Sequence, residues 1–247
     1  MAANSLQTKA GSGANTAKGF ANPVWADLID KLQSLSGVVL GLFLVMHLQF
    51  ESSLLLGKEA FYQVAQFIEG GVFSETDHGY SLLTQIFFCF ISLVVSIHAV
   101  PALCRFPTQI GQWRALRNQM RFLPHEETKI WFWQMITGFL LFFLVPIHFF
   151  TMMTPPETGP YLSAERVYHF NTWASYVLLL PIVTIHAVFG LYRVVVKWGL
   201  VAHRFAMLKF AKMLFGYLML LGMASMLVYI ILGRSLGLPE VPYVSTL

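Results

Sequence analysis

The chain of 247 residues combines 56% hydrophobic residues with only 11% charged residues, and its mean hydropathy is +0.63. This composition excludes an ordinary soluble domain, because most of the apolar surface must face lipid. The formal net charge of +4 does not indicate a nucleic-acid partner, since the basic residues lie between apolar stretches and form no soluble basic face.

Five long apolar stretches follow a polar N-terminal segment. The first 20 residues contain no apolar run, so they lack the hydrophobic region of a cleavable signal and are predicted to form a flexible cytoplasmic tail. A helix needs ~20 mostly apolar residues to cross a bilayer. The stretches of this length are about 34–56, 82–104, 131–154, 172–194 and 212–233. The predicted fold is an all-α integral membrane protein with five transmembrane helices in residues 25–235, between tails at 1–24 and 236–247.

The lysines and arginines predict the orientation of these helices. Thirteen lie in the N-terminal segment and in the connections from the second to the third and from the fourth to the fifth helix, against three on the other side. Short segments rich in Lys and Arg stay on the cytoplasmic side. The N-terminus is therefore predicted to be cytoplasmic and the C-terminus to lie outside.

Four histidines inside the apolar stretches fall into two repeated patterns. The pattern Gln, two residues, Ser or Thr, Gly, nine residues, His occurs twice and ends at His47 and at His148. A second pattern, Ile-His-Ala-Val followed by two residues, Leu, one residue and Arg, contains His98 and His186. Helices one and three, and helices two and four, are therefore predicted to be copies. Two copies of a histidine-bearing helix pair indicate two cofactors.

The depth of each histidine follows from the helical rise of roughly 1.5 Å per residue. His98 and His186 each precede an arginine by seven residues, which places both in an inner layer ~10 Å from the cytoplasmic end. His47 and His148 lie in an outer layer. This predicts a bundle of the first four helices that binds two stacked haems, with axial ligand pairs His98/His186 and His47/His148 and iron atoms roughly 10–15 Å apart. The alternative is that these histidines only hydrogen-bond between helices.

The type of cofactor follows from the other ligands in the chain. The sequence has two cysteines and no Cys-x-x-Cys-His motif, so the haem is predicted to be haem b, held without thioether links. A zinc site is disfavoured because acidic and thiol ligands to complete it are missing near the histidines.

Extended motifs in residues 25–235 resemble a known family. They are Gln-Ser-x-Ser-Gly-x9-His, Trp-x-Trp-Gln-x-x-Thr-Gly-x9-His and His-Ala-Val-x-Gly-Leu-Tyr-Arg-x3-Lys-Trp-Gly. With the five-helix layout, they are similar to the dihaem cytochrome b subunits of fumarate reductases and succinate dehydrogenases. The resemblance implies a membrane anchor in the bacterial cytoplasmic membrane, bound to an iron–sulfur subunit and to a flavoprotein subunit that carries FAD. It also implies anaerobic electron transport from menaquinol to fumarate, and a possible dimer of heterotrimers.

Polar residues at the helix ends are predicted to bind the haem propionates, which need donors or cations where the membrane meets water. Gln33, Ser34, Trp131 and Lys197 lie at the inner ends of their helices, and the resemblance assigns them to the propionates of the inner haem. Arg166, in the connection between the third and fourth helices, is a candidate for the outer haem. The alternative is ordinary interfacial anchoring, above all for Trp131 and Lys197.

Three glycines, Gly37, Gly138 and Gly190, fall within the bundle helices. A missing side chain there is expected to let a flat macrocycle or a neighbouring helix approach. Plain helix packing is an equal alternative.

Quinol oxidation releases two protons, so a carboxylate near the outer haem is expected as the acceptor. Glu69 matches the acidic residue that the resembling family uses in menaquinol oxidation, and Glu51, one turn beyond His47, is the weaker candidate. Thr184 stands where some dihaem members carry a glutamate, which leaves the coupling to the membrane potential open.

Three other functions stay open from the sequence. The chain has the same role in a succinate dehydrogenase that runs in the opposite direction, or it is a stand-alone transmembrane cytochrome b, or it is a membrane subunit without a redox function.

Overall fold

The computed structural model describes residues 23–71, 79–122, 125–153 and 158–236. The regular structure in these residues is entirely helical. The helices are α1 (Pro23–Ser52), a 3₁₀ helix (Ser53–Leu56), α2 (Lys58–Ile68), α3 (Ser81–Cys104), α4 (Ile110–Phe122), α5 (Glu126–Met153), α6 (Pro160–Tyr168), α7 (Trp173–Lys197) and α8 (Arg204–Ser235). The predicted tails at 1–24 and 236–247 lie outside the described residues except for positions 23, 24 and 236.

Five of the described helices are long and apolar enough to span a membrane, namely α1, α3, α5, α7 and α8. The prediction of an all-α membrane protein with five spanning helices is confirmed. Three helices begin at least five residues earlier than the apolar stretches indicated, α1 at Pro23, α5 at Glu126 and α8 at Arg204. The added segments contain charged residues. In α1, Lys31 and Asp27 form an ion pair of 2.7 Å at i,i+4 spacing, which supports a helix without adding hydropathy.

The short helices α2, α4 and α6 were not predicted, because they lack the length and the apolar composition of a membrane-spanning helix. Two of them cover one end of the bundle. Phe61 of α2 and Ala164 of α6 are fully buried and pack in one cluster with Tyr229 of α8. A Cβ on Gly233 of α8 would lie 2.5 Å from the Ala164 carbonyl oxygen, so glycine permits α6 to approach α8 closely.

The spanning helices form a ring of four with the fifth packed on one side. α1 contacts α3 and α7, and α5 contacts the same two helices, so α1 lies diagonally opposite α5, and α3 opposite α7. α8 packs against α1 and α7. A core that includes Leu44, Val188 and Leu218 joins these three helices. The ring therefore has two diagonals along which side chains can meet.

The direction of each helix defines two ends of the bundle. The inner end is the end at which α1, α5 and α8 begin and α3 and α7 end. Contacts there include Arg105, at the end of α3, with Gln33 of α1, and Lys212 of α8 with Glu126 of α5. The opposite end, covered by α2 and α6, is the outer end.

Candidate functional site: two histidine pairs

The four histidines of the apolar stretches meet in two pairs, one along each diagonal of the ring. His47 of α1 and His148 of α5 have ring centroids 6.1 Å apart with an interplanar angle of 61°. His98 of α3 and His186 of α7 are also 6.1 Å apart, at 84°. The structure thus brings together the same pairs that helical rise assigned to the outer and inner layers.

The spacing within each pair suits one metal ion between two imidazoles. A metal–nitrogen distance of about 2.0–2.1 Å, with about 1 Å from each nitrogen to the centroid of its ring, gives about 6 Å between centroids. In the described part of the chain, no third His, Cys, Asp or Glu joins either pair to make a cluster of three possible ligands. Each pair therefore offers two imidazole nitrogens.

Hydrogen bonds fix the ring of His98 in the inner pair. Its Nδ1 lies 3.0 Å from the carbonyl oxygen of Gln33 and 3.4 Å from Oγ of Ser36, both on α1. A carbonyl oxygen only accepts, and the Ser36 hydroxyl donates its own proton to the Leu32 carbonyl oxygen at 2.7 Å. These partners assign the proton to Nδ1, so the lone pair of His98 is on Nε2 and is free to bind a metal.

His186 has the same surroundings, supplied by α5. Its Nδ1 lies 3.1 Å from the Gln134 carbonyl oxygen and 3.2 Å from Oγ1 of Thr137. The Thr137 hydroxyl donates to the Trp133 carbonyl oxygen at 2.6 Å. The Nδ1 of His186 is therefore the donor as well. Sequence reasoning placed Ser36 and Thr137 in the repeated motif but gave them no role; their fixed spacing before a glycine was the available signal.

The predicted glycines make room for these groups. A Cβ on Gly37 would lie 2.9 Å from Cε1 of His98, and one on Gly138 would lie 2.9 Å from Cε1 of His186. The space at both positions is therefore used by the inner histidine rings. A Cβ on Gly190 would lie 2.7 Å from Nε2 of Gln134. That amide donates to the His186 carbonyl oxygen at 3.0 Å, so Gly190 admits a bond between α5 and α7.

The outer pair is surrounded by aromatic rings. Phe43 stacks on His47 with 5.4 Å between centroids and an interplanar angle of 18°. Tyr176 lies edge-on to His148 at 5.5 Å, and Phe149 is 6.3 Å away. Nδ1 of His148 is buried and has no hydrogen-bond partner among the described residues. Aromatic packing, rather than hydrogen bonding, holds this histidine.

Three of the four candidate propionate ligands gather at the inner end. Lys197 donates to a carboxylate oxygen of Asp30 and to Oγ of Ser34 at 3.0 Å. Arg105 donates to Oε1 of Gln33 at 3.0 Å and lies 3.8 Å from the other Asp30 oxygen. The involvement of Asp30 and Arg105 was not predicted, because it depends on contacts between α1, α3 and α7.

The fourth candidate, Trp131, lies near the start of α5 with 37% of its surface exposed. Arg166 lies in the connection between the third and fourth spanning helices, where the structure has helix α6, and is 4% exposed. Helix α6 was not predicted because it is too short to span a membrane. Thr184, in the middle of α7, is fully buried and donates to the Leu180 carbonyl oxygen at 2.6 Å.

The two candidate carboxylates lie on different elements toward the outer end. Oε2 of Glu51 accepts a hydrogen bond of 2.7 Å from the hydroxyl of Tyr229, which is buried on α8. Glu69 follows α2 directly and is half-buried. Its carbonyl oxygen accepts from the Tyr80 backbone N–H at 2.8 Å.

The fold and the two histidine pairs define an integral membrane protein built like a cytochrome b. Residues 114–224 match the family model described as succinate dehydrogenase/fumarate reductase transmembrane subunit. Over 172 residues the chain is 39% identical to the fumarate reductase cytochrome b subunit of Helicobacter pylori. The aligned region covers 69% of this chain and 67% of that protein. Its identity to the fumarate reductase cytochrome b subunit of Wolinella succinogenes is 35% over the same length, 69% of this chain and 66% of that protein.

The chain belongs to the family of fumarate reductase cytochrome b subunits, as the resemblance of its motifs predicted. With five apolar helices it is a multi-pass membrane protein, consistent with the predicted location in the bacterial cytoplasmic membrane.

Proposed function

We propose that this chain is the membrane-anchor, dihaem cytochrome b subunit of a quinol:fumarate reductase. The observation that carries the proposal is the pair of matched histidine sites, each with ring centroids 6.1 Å apart and each formed by diagonal helices. The names of the relatives, fumarate reductase cytochrome b subunits, support the choice of complex.

The donor set fits haem b better than a bare metal ion. Each site supplies two imidazoles, with no third His, Cys, Asp or Glu clustered with them among the described residues. A cofactor that brings its own equatorial ligands completes such a site, as the porphyrin of haem does. The chain's cysteines, Cys89 and Cys104, are free and exposed, on one helix that carries no Cys-x-x-Cys-His motif.

Two haems b held in this way would relay single electrons between menaquinol at the outer end and the iron–sulfur and flavoprotein subunits at the inner, cytoplasmic end. The excess of Lys and Arg in the segments at the inner end supports this orientation. His47 and His148 are the proposed ligands of the outer haem. His98 and His186 are the proposed ligands of the inner haem.

The propionates of the inner haem are proposed to bind at the cluster of Gln33, Ser34 and Lys197, with Trp131 nearby on α5. Arg105 and Lys197 bring two cations to the single carboxylate of Asp30, so positive charge is in excess there. Arg166 is the proposed cation for the outer haem, and its burial in α6 supports a role beyond interfacial anchoring.

The acceptor of the quinol protons is proposed to be Glu69, with Glu51 as the weaker candidate. Glu69 lies at the outer end, where α2 packs on α1 through the stacked rings of Phe61 and Phe50, 5.2 Å apart. Glu51 already accepts a hydrogen bond from Tyr229, which occupies one of its oxygens.

The opposite direction, succinate oxidation coupled to quinone reduction, is the second candidate. The matching family model includes succinate dehydrogenase transmembrane subunits, and this observation favours it. The potentials of the haems and of the quinone decide the direction.

The haem assignment is tested by a dithionite-reduced minus oxidised visible spectrum with a haem count per chain. We expect two haems b in the wild-type complex, one in His98→Ala and one in His148→Ala. His203→Ala, which removes an exposed histidine before α8, is the control and keeps both haems. A wild-type protein that is helical but colourless contradicts the proposal.

The proton acceptor is tested in the same complex by menaquinol-dependent fumarate reduction. Glu69→Gln is expected to lose about 10²-fold or more in rate, since general base catalysis contributes about 10²–10⁴. Glu59→Gln, which changes a carboxylate of α2 that accepts a hydrogen bond from Gln63, is expected to leave the rate unchanged. Loss of rate in Glu51→Gln instead of Glu69→Gln would assign the role to Glu51.

A further inference from the structure

Two hydroxyl groups contact the inner histidine pair in a way that the family assignment does not explain. Ser36 Oγ lies 3.4 Å from Nδ1 of His98, and Thr137 Oγ1 lies 3.2 Å from Nδ1 of His186. The contacts come from different helix pairs, α1 with α3 and α5 with α7. The same arrangement therefore occurs twice, at the same step of the repeated motif.

Each hydroxyl is oriented by a hydrogen bond within its own helix. It donates its proton to the carbonyl oxygen four residues earlier, at 2.7 Å for Ser36 and 2.6 Å for Thr137. A lone pair is then left to face the imidazole. Ser36 is 7% exposed and Thr137 is 3% exposed, so bulk water does not compete for the Nδ1–H group.

A bond from a hydroxyl to its own helix backbone is common in membrane helices and by itself has no functional meaning. Ser96 of α3 and Thr184 of α7 make such bonds, to Ser92 and to Leu180. In the described part of the chain, neither is hydrogen-bonded to a histidine ring. What distinguishes Ser36 and Thr137 is the imidazole nitrogen opposite the hydroxyl oxygen.

We propose that Ser36 and Thr137 are positioning residues that act through His98 and His186 to hold the inner haem at a lower reduction potential than it would otherwise have. This inference rests on the proposed haem-binding function. Each hydroxyl is a second acceptor for the Nδ1–H group, beside the carbonyl oxygen of Gln33 at 3.0 Å from His98 or of Gln134 at 3.1 Å from His186. Acceptors on the second nitrogen of a metal-bound imidazole fix the ring and make it a more basic ligand. A more basic ligand favours the oxidised, more positively charged iron.

The effect is confined to the inner site. His148 of the outer pair has a buried Nδ1 with no partner among the described residues. Changes at Ser36 and Thr137 therefore alter one of the two potentials, which a structural defect spread over the bundle does not do.

The test is a potentiometric titration of the haem absorption bands in the intact complex, for Ser36→Ala, Thr137→Val and the control Ser96→Ala. The component that disappears in His98→Ala identifies the inner haem. In Ser36→Ala and in Thr137→Val we expect a rise in the inner potential equivalent to about a threefold change in the reduced-to-oxidised ratio, about 30 mV for a one-electron couple. The outer potential and both potentials of Ser96→Ala stay at wild-type values.

The conservative variant Thr137→Ser keeps the hydroxyl and is expected to keep the wild-type potential. If Thr137→Val loses the inner haem, retention of the haem at wild-type potential in Thr137→Ser supports the proposal, and loss in both overturns it. Two haems with unmoved potentials in Ser36→Ala and Thr137→Val also overturn it. A wild-type complex without haem b contradicts the proposed function itself, so the two failures are distinguishable.

Discussion

The inner and outer halves of the bundle hold their pairs of histidine rings in different ways. Both bring two imidazoles to a centroid distance of 6.1 Å. In the inner half, each ring is tied through Nδ1 to a carbonyl oxygen and a hydroxyl of a neighbouring helix. In the outer half, Phe43 stacks on His47, and Tyr176 and Phe149 surround His148. Helix packing sets the spacing, whereas ring orientation is set locally.

The difference has a cause in the repeated motif itself. Each copy of the motif carries the residues that hold an inner histidine of the next spanning helix, and ten residues after its glycine it carries an outer histidine. The Gln, the hydroxyl and the glycine of α1 serve His98, while its histidine faces α5. A single helix thus contributes to both sites, and substitutions along it separate them.

The largest expected effect comes from closing the space beside an inner ring. In Gly37→Ala or Gly138→Ala the new Cβ lies 2.9 Å from Cε1 of His98 or His186, so the ring must move. Overpacking of this kind costs about 1–3 kcal/mol, equivalent to about 5- to 150-fold weaker inner haem binding. The haem count and redox titration of the purified complex measure the loss of the inner component, with the outer component retained.

Gly216→Ala is the matched control, because a Cβ added there would have no atom within 4 Å besides its chain neighbours and the backbone of its own helix, α8. It is expected to keep both haems. Full occupancy of the inner site in both Gly37→Ala and Gly138→Ala would show that the rings do not depend on this space, and the comparison between the two halves would fail.

A smaller effect is expected from the aromatic packing of the outer half. Phe43→Ala removes the ring stacked on His47, and such aromatic contacts contribute about 0.5–1.5 kcal/mol, or about 2- to 12-fold in outer haem affinity. The rate and extent of haem transfer to an excess of an apo-haem protein measure the change for each haem. Phe90→Ala, at an exposed ring of α3, is the control. A loss confined to the inner haem would contradict the assignment of Phe43.

Depth along a helix was predictable from the sequence, but rotation about the helix axis was not. The length of the apolar stretches and the rise per residue were enough for five spanning helices and for the layers of His98 with His186 and His47 with His148. Which side chain faces which neighbour depends on helix rotation and packing. The hydrogen bonds of Ser36 and Thr137 and the pairing of Glu51 with Tyr229 follow from that rotation.

The short helices show a second limit of sequence reasoning. α2, α4 and α6 are short helices in the connections between the spanning helices, and their apolar residues are too few for a membrane-spanning signal. The burial of Arg166 depends on α6, which packs on α8 through Gly233. A prediction based on hydropathy treats this segment as a loop and leaves the arginine in solvent.

The smallest effect tests whether hydrogen bonds in the outer half act on stability alone. Oγ of Ser225 on α8 donates to Oγ of Ser52 on α1 at 2.9 Å, and both residues are buried. A hydrogen bond between membrane helices contributes about 0.6 kcal/mol on average. Ser225→Ala should therefore lower the free energy of unfolding by about that amount, measured by titration with a denaturing detergent in mixed micelles, whereas Ser96→Ala should not. Because neither Ser225 nor Ser52 is hydrogen-bonded to a histidine ring among the described residues, the potential of the outer haem should stay unchanged in Ser225→Ala. A shift of that potential in Ser225→Ala would show that hydrogen bonds orient the outer pair as well, through the packing of α8 on α1.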